Sequence, residues 1–138
     1  MKGKIFVDTN VFIYAYSDDD MIKHKIAENL LRKDLAENSI VISVQILSEF
    51  YSVMAKSKLS HSEIAYYVKE IAKQTYVKSL TIETIELCLR IKEKCHFSWW
   101  DSLVLSSALE SNCSILYSED LQHGQVIENS LKIVNPFV

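Results

Sequence analysis

Short β-branched or apolar runs alternate along the chain with longer stretches of helical periodicity, and this alternation most narrows the possible folds. The first strand is expected at Lys4–Val7, followed by a short helical turn over Val11–Tyr16 that gives way to the acidic Asp18-Asp19-Asp20 loop. Lys23–Glu37 carries Ile26, Leu30, Leu31 and Leu35 at helical spacing. Ile40–Ser43 reads as a strand. Val44–Lys58 reads as a helix apolar most of the way round, and therefore buried. Ser60-His61-Ser62-Glu63 has the form of a capping box and opens a helix reaching about Gln74. A strand over Tyr76–Leu80, a helix capped by Thr81 and another capped by Ser98 follow, the last ending near Asn112. Strands at Ser114–Tyr117 and Lys132–Val134 complete the pattern, with a turn near His123-Gly124. Strands separated by helices demand crossover connections and hence parallel pairing. The expected fold class is α/β, a three-layer α/β/α sandwich on a mainly parallel sheet of four or five strands.

With two glycines and one proline in 138 residues there is no linker-like stretch, so the chain reads as one domain. Half the residues are apolar, enough for a core without disulfides or a structural metal. No apolar run is long enough to cross a bilayer, and MKGKIFVDTN turns polar too soon for a secretory segment. Three cysteines, at 88, 95 and 113, form no C-x-x-C pair, and Cys95-His96 lacks a second ligand pair for zinc. A soluble, cytoplasmic protein in a reducing compartment is the expectation. The net charge of −3 argues weakly against a nucleic-acid partner. Setting aside the four acids singled out below leaves fourteen acids against fifteen bases, so the remainder is near neutral.

In an open parallel sheet, ligands bind beyond the carboxyl ends of the strands. Asp8 directly follows the first expected strand, and Glu119 and Asp120 follow the Ile115–Tyr117 strand. Glu49 lies on the apolar helix after the second strand, on the face of Ile46 and Val53, with Gln45 and Ser52 beside it. A carboxylate there is costly unless paired or bound to a cation. Asp101 begins a stripe continued by Val104, Leu105 and Ala108, so its acid points toward the interior or a cleft. Each acid also has a plainer explanation: an Asx-turn for Asp8, half of a capping box with Ser98 for Asp101, a loop acid for Asp120. Four acids meeting at one sheet edge repel one another, and a hard divalent cation resolves the conflict. Mg2+ or Mn2+ suits an all-carboxylate set better than zinc, and the chemistry such a site supports best is phosphodiester hydrolysis.

The stretches Val7-Asp8-Thr9-Asn10-Val11, Ser48-Glu49-Phe50, Trp100-Asp101-Ser102-Leu103 and Ser118-Glu119-Asp120-Leu121 occur in the order seen in PIN-domain nucleases. Val134-Asn135-Pro136-Phe137 is similar to that family's C-terminus. The chain resembles this family over nearly its whole length, and within it the VapC-type toxins of prokaryotic toxin–antitoxin pairs. The resemblance implies a Mg2+- or Mn2+-dependent endoribonuclease, usually homodimeric and inhibited by a cognate VapB-type antitoxin. It matches Asp8, Glu49, Asp101 and Asp120 to the acidic quartet, with Glu119 a neighbour able to take the last place. It also matches Asn10 to the residue that orients the first aspartate, and Ser118 to the hydroxyl or amide before the last acid. Asp8 and Asp101 are expected as the main metal ligands, Asp120 as a direct or water-mediated ligand, and Glu49 as a second ligand or the base orienting water. Attack by water leaves 5′-phosphate and 3′-hydroxyl ends, whereas attack by the ribose 2′-hydroxyl leaves a cyclic phosphate.

Other readings compete with this one. Phosphatases with an aspartate nucleophile need a second acid two residues after the first, where this chain has Asn10, and no suitable lysine precedes the last acid. Phospho-accepting receiver domains need paired acids after the first strand. A catalytically inactive RNA- or protein-binding module remains, against which the complete quartet counts. Trp99 and Trp100 suggest base stacking, but core or dimer packing is the favoured expectation. Tyr66-Tyr67 and the Tyr51/Met54 stripe read as core, dimer interface or antitoxin groove. Lys2, Lys4, Lys56, Lys58 and Arg32 are candidate phosphate contacts.

Overall fold

A computed structural model describes residues 3–138; Lys2, one of the candidate phosphate contacts, lies outside them. The elements run β1 (Lys4–Val7), α1 (Thr9–Ala15), α2 (Met21–Glu37), β2 (Ser39–Ser43), α3 (Val44–Met54) and α4 (His61–Gln74). They continue with β3 (Tyr76–Lys78), α5 (Ile82–Cys95), α6 (Trp99–Glu110), β4 (Ile115–Tyr117), β5 (Val126–Ile127) and β6 (Leu131–Val134). The six strands form one sheet in the order β3-β2-β1-β4-β6-β5. Every pairing is parallel except β5 with β6. The expected parallel α/β/α architecture is therefore the one that forms. The sheet exceeds the expected four or five strands by β5, two residues too short to carry a strand signal. It is held against β6 by a hairpin whose Glu128 and Asn129 both take positive φ.

Helix starts follow local capping chemistry. Asp8 caps α1, and Asp20, from the acidic run, caps α2, which starts at Met21, two residues before the expected Lys23. Ser60 forms the expected capping box with Glu63, and Thr81 forms the equivalent with Thr84. The core lies on both faces of the sheet: Ile5, Phe6 and Val7 of β1 and Ile40, Val41 and Ile42 of β2 are all buried. Burial of two helices is reversed relative to expectation. Ser102 through Ala108 of α6 are all buried, whereas α3 leaves Val44 and Val53 each 42% exposed. No helix among the described residues is long and apolar enough to cross a membrane.

The strand order reverses at β1. From β1 the chain moves outward to β2 and β3, then returns to place β4 on the other side of β1 and moves away toward β6. Connections leaving β1 and β4 diverge, which opens a crevice at their carboxyl ends.

Candidate active site at the carboxyl edge of the sheet

Asp8 leaves β1 into this crevice and is 6% exposed. Its Oδ1 accepts from the Thr9 backbone N–H at 2.8 Å and its Oδ2 from the Ser118 hydroxyl at 2.9 Å. The first bond is the helix cap, so the plain local role and the site role coincide in one side chain. Burial pushes the Asp8 carboxyl up to about 6; the Thr9 and Ser118 bonds oppose this, and the charges of Glu49 and Asp120 add to it.

Glu49 arrives from α3, half-buried rather than enclosed by apolar side chains, since Val53 on its face is exposed. Its Oε2 accepts from the Thr9 hydroxyl at 2.9 Å and its Oε1 from the Gln45 amide at 2.7 Å. Asp101 stands in the first turn of α6. The Ser98 hydroxyl accepts from the Asp101 backbone N–H at 3.1 Å, so Ser98 caps the helix, and the Asp101 charge acts on Asp120. Asp120 lies on the loop after β4, where its Oδ2 accepts from the Asn10 amide at 3.1 Å. Its carboxyl is raised, first by burial and then by the charges of Asp101, Glu119 and Glu49, with the Asn10 bond opposing. Charges from separate stretches thus act on one another here: Glu49 and Asp120 on Asp8, and Asp101 and Glu49 on Asp120.

Two neighbours act differently from their expected roles. Asn10 orients Asp120, not Asp8; Asp8 is oriented by Thr9 and Ser118. The Asp8 side chain caps the start of α1, while the Asn10 amide reaches the loop after β4. Ser118, wholly buried, serves both ends of the crevice, since its oxygen also accepts from the Asp120 backbone N–H at 3.3 Å. Glu119 is drawn away from the quartet. Its Oε1 accepts from the Tyr14 hydroxyl at 2.7 Å and its Oε2 from the Lys23 ammonium. Burial acts to raise the Glu119 carboxyl, but the bonds and charge of Lys23 and Tyr14 outweigh it and hold it below its ordinary value. The bond to Glu119 in turn pushes Lys23 up to about 12.

Sequence reasoning placed Gln45 beside Glu49 without a role and missed Thr9, and these two hold Glu49; it also missed the Tyr14–Lys23 pair. Thr9 had a visible signal, its place between two site residues. Gln45 stands one helical turn before Glu49, where such amides meet carboxylates. Nothing in sequence pairs Lys23 with a residue 96 positions away. Of the candidate phosphate contacts, Lys4 sits at the amino end of β1, the far edge of the sheet, and Arg32 pairs with Glu28 at 3.5 Å. His123 has a structural task, its Nδ1 accepting from the Asn135 N–H at 2.9 Å. Trp99 is half-buried, while Trp100 is 62% exposed in an apolar groove shared with Val44, Val53, Leu80 and Leu103 and bordered by Glu49. Met54 is core; Tyr66 is exposed.

Among the described residues, no three His, Cys, Asp or Glu side chains are gathered closely enough to hold a metal ion as they stand. Glu49 instead bonds to Thr9 and Gln45, and Asp120 to Asn10. The donor set nevertheless fits a hard divalent cation: oxygen ligands only, and a buried carboxyl whose charge is unmet by any cationic side chain among its hydrogen-bond partners.

Fold and site together define an α/β protein with an acidic centre at the switch point of a parallel sheet. The PIN domain family model matches residues 5–128, and the chain belongs to that family. No curated protein matches it in sequence. Solved structures share the fold at low identity. A chain of the VapBC2 complex from Rickettsia felis, bound to a DNA fragment from their promoter, superposes with a TM-score of 0.71 at 18% identity, covering 96% of this chain and 99% of that one. A toxin–antitoxin complex from Klebsiella pneumoniae gives 0.72 at 15%, covering 96% and 97%. VapC20 of Mycobacterium tuberculosis, a toxin that cleaves the sarcin-ricin loop, gives 0.70 at 16%, covering 84% and 89%.

Proposed function

We propose that this chain is a divalent-metal-dependent endoribonuclease, the toxin of a VapBC-type pair, acting in the cytoplasm as a homodimer and restrained by a VapB-type antitoxin. The observation that carries the catalytic reading is the Asp8 carboxyl buried at the switch-point crevice, with the charges of Glu49 and Asp120 acting on it and that of Asp101 acting on Asp120. Family membership and the toxin–antitoxin complexes among its structural relatives support the biological role.

Asp8 and Asp101 are the principal ligands in this reading, Asp120 a direct or water-mediated one, and Glu49 a further ligand or the base. A bound Mg2+ or Mn2+ supplies charge neutralisation and Lewis acidity for phosphodiester hydrolysis. The protein's own contribution is arrangement. Ser118 and the Thr9 N–H fix both oxygens of Asp8, removing the rotational freedom that would blur its position. Thr9 and Gln45 each take one oxygen of Glu49, leaving the second lone pair of each to accept a proton from the attacking water. Asn10 and Ser118 set the loop that carries Asp120.

The test is cleavage of a mixed RNA panel with Mn2+, Mg2+ or EDTA, comparing wild type with Asp101→Asn. Metal-dependent cutting should fall by at least about 100-fold in the variant, more than loss of a mere supporting contact. Fragments should end in 5′-phosphate and 3′-hydroxyl groups; a cyclic phosphate would refute attack by water. Wild-type protein that binds no divalent metal would transfer the assignment to an inactive RNA- or protein-binding module.

A further inference from the structure

Two acids stand side by side after β4, and only one belongs to the quartet. Glu119 is enclosed by three separate parts of the chain. Tyr14 comes from the end of α1 and Lys23 from the first turn of α2. The C-terminal segment contributes the Asn135 amide, which donates to the Glu119 backbone carbonyl at 3.5 Å. The Phe137 ring stands edge-on to Tyr14 at 5.0 Å, and the Lys23 ammonium lies 4.9 Å from the Tyr14 centroid and 5.6 Å from that of Phe137. Tyr14 is itself anchored, its carbonyl meeting His24 Nδ1 at 2.9 Å.

This enclosure has two consequences for Asp120. With the Glu119 side chain and carbonyl both tied, the peptide between the two acids has little freedom, so the Asp120 carboxylate is delivered to the Asn10 side of the crevice. The Lys23 charge also neutralises a fifth carboxylate that would otherwise add its full repulsion to the four in the site. The geometry points to Lys23 and Tyr14 as positioning residues that hold Glu119 out of the metal site and thereby fix Asp120 in it. This inference rests on the metal-dependent reading above.

The experiment measures Mn2+ affinity by calorimetry, and the backbone amide resonances of residues 118–121 by NMR, in wild type, Lys23→Met, Lys23→Arg and Tyr14→Phe, well below each melting temperature. Lys23→Met should weaken Mn2+ binding about 10-fold, the low end for residues that support a metal ligand, and shift the Glu119 and Asp120 amides. Lys23→Arg should restore affinity to within about threefold, because it keeps the charge. A merely structural lysine would lower the melting temperature without changing Mn2+ affinity in the folded protein. Wild-type affinity in Lys23→Met, with unmoved amides, would overturn the assignment. If Lys23→Met does not fold, Tyr14→Phe carries the same test by removing one of the two bonds to the Glu119 carboxylate. If wild type binds no Mn2+, the metal reading fails, and unmoved amides in the metal-free variants would then overturn the clamp as well.

Discussion

Asp8 shows how one residue serves the local fold and the site at once, and what that costs. It caps α1, a task asparagine does equally well, yet it holds a carboxylate in a nearly inaccessible place beside two other acids. Its folded value of about 6 exceeds the ordinary 3.8, so folding disfavours the charged form. The penalty is absent below pH 3.8, where both states are protonated, grows through the interval, and is complete above about 6. In EDTA, Asp8→Asn should therefore be more stable than wild type by about 3 kcal/mol at pH 8, with almost no gain at pH 3.5, measured by urea denaturation. The amide can still accept from Thr9, and the Ser118 hydroxyl can turn to accept from it. Adding Mn2+ should stabilise wild type, by about 2.7 kcal/mol at a hundred times the dissociation constant, and leave the variant unchanged. Stabilisation of both alike would argue that Asp8 is no ligand. The positions of three of the candidate acids were legible in sequence, since Asp8 and Asp120 follow strands and Asp101 opens a buried helical stripe, whereas Glu49 stood out only for its apolar helix. Their supporting partners were not: Thr9 with Glu49 spans 40 positions and Asn10 with Asp120 spans 110, and only the sheet order brings them together.

Helices α5 and α6, the crossover returning from β3 to β4, are joined to the sheet edge by a polar network. The Glu110 Oε1 at the end of α6 accepts from the Lys78 ammonium at 2.9 Å and from the Thr84 hydroxyl at 2.6 Å. Burial acts to raise the Glu110 carboxyl, but these bonds and the Lys78 charge prevail and leave it below its ordinary 4.5. A lowered folded value adds stability that is present above pH 4.5 and lost as pH falls through the folded one. Glu110→Gln should accordingly cost about 1 kcal/mol at pH 7, discounted for partial solvent access, and the gap to wild type should close in acid. A difference independent of pH would assign the effect to packing instead. Local signals located these elements well, through Thr81 and Ser98 as caps and Ser60 with its capping box. Which helix is enclosed was misjudged, because burial depends on neighbours rather than composition. The serines of α6 face packed elements, while Val44 and Val53 of the more apolar α3 border an open groove.

In the whole molecule, the exposed Trp100, Val44 and Val53 form an apolar surface beside the acidic crevice that a single chain leaves uncovered. This supports the proposed homodimer. Light scattering should give twice the 15.9 kDa of one chain, and Trp100→Glu should shift the equilibrium toward the monomer. A wild-type monomer at micromolar concentration would refute it. Alternation of short apolar runs with capped helical segments was sufficient by itself to determine a parallel α/β fold, because hydrogen-bonded strands separated by helices can close only through crossovers. It also placed Asp8 after β1 and Glu119 and Asp120 after β4, at the carboxyl edge of the sheet. The strand order, with β4 returning to lie beside β1, was decided by tertiary structure alone. So was the enclosure of Glu119 beside Asp120, which bonds instead to Asn10, a difference that adjacent positions in sequence do not reveal. That enclosure takes a lysine from α2, a tyrosine from α1 and an asparagine from the C-terminus, and long-range packing is what sets three such distant groups around one residue.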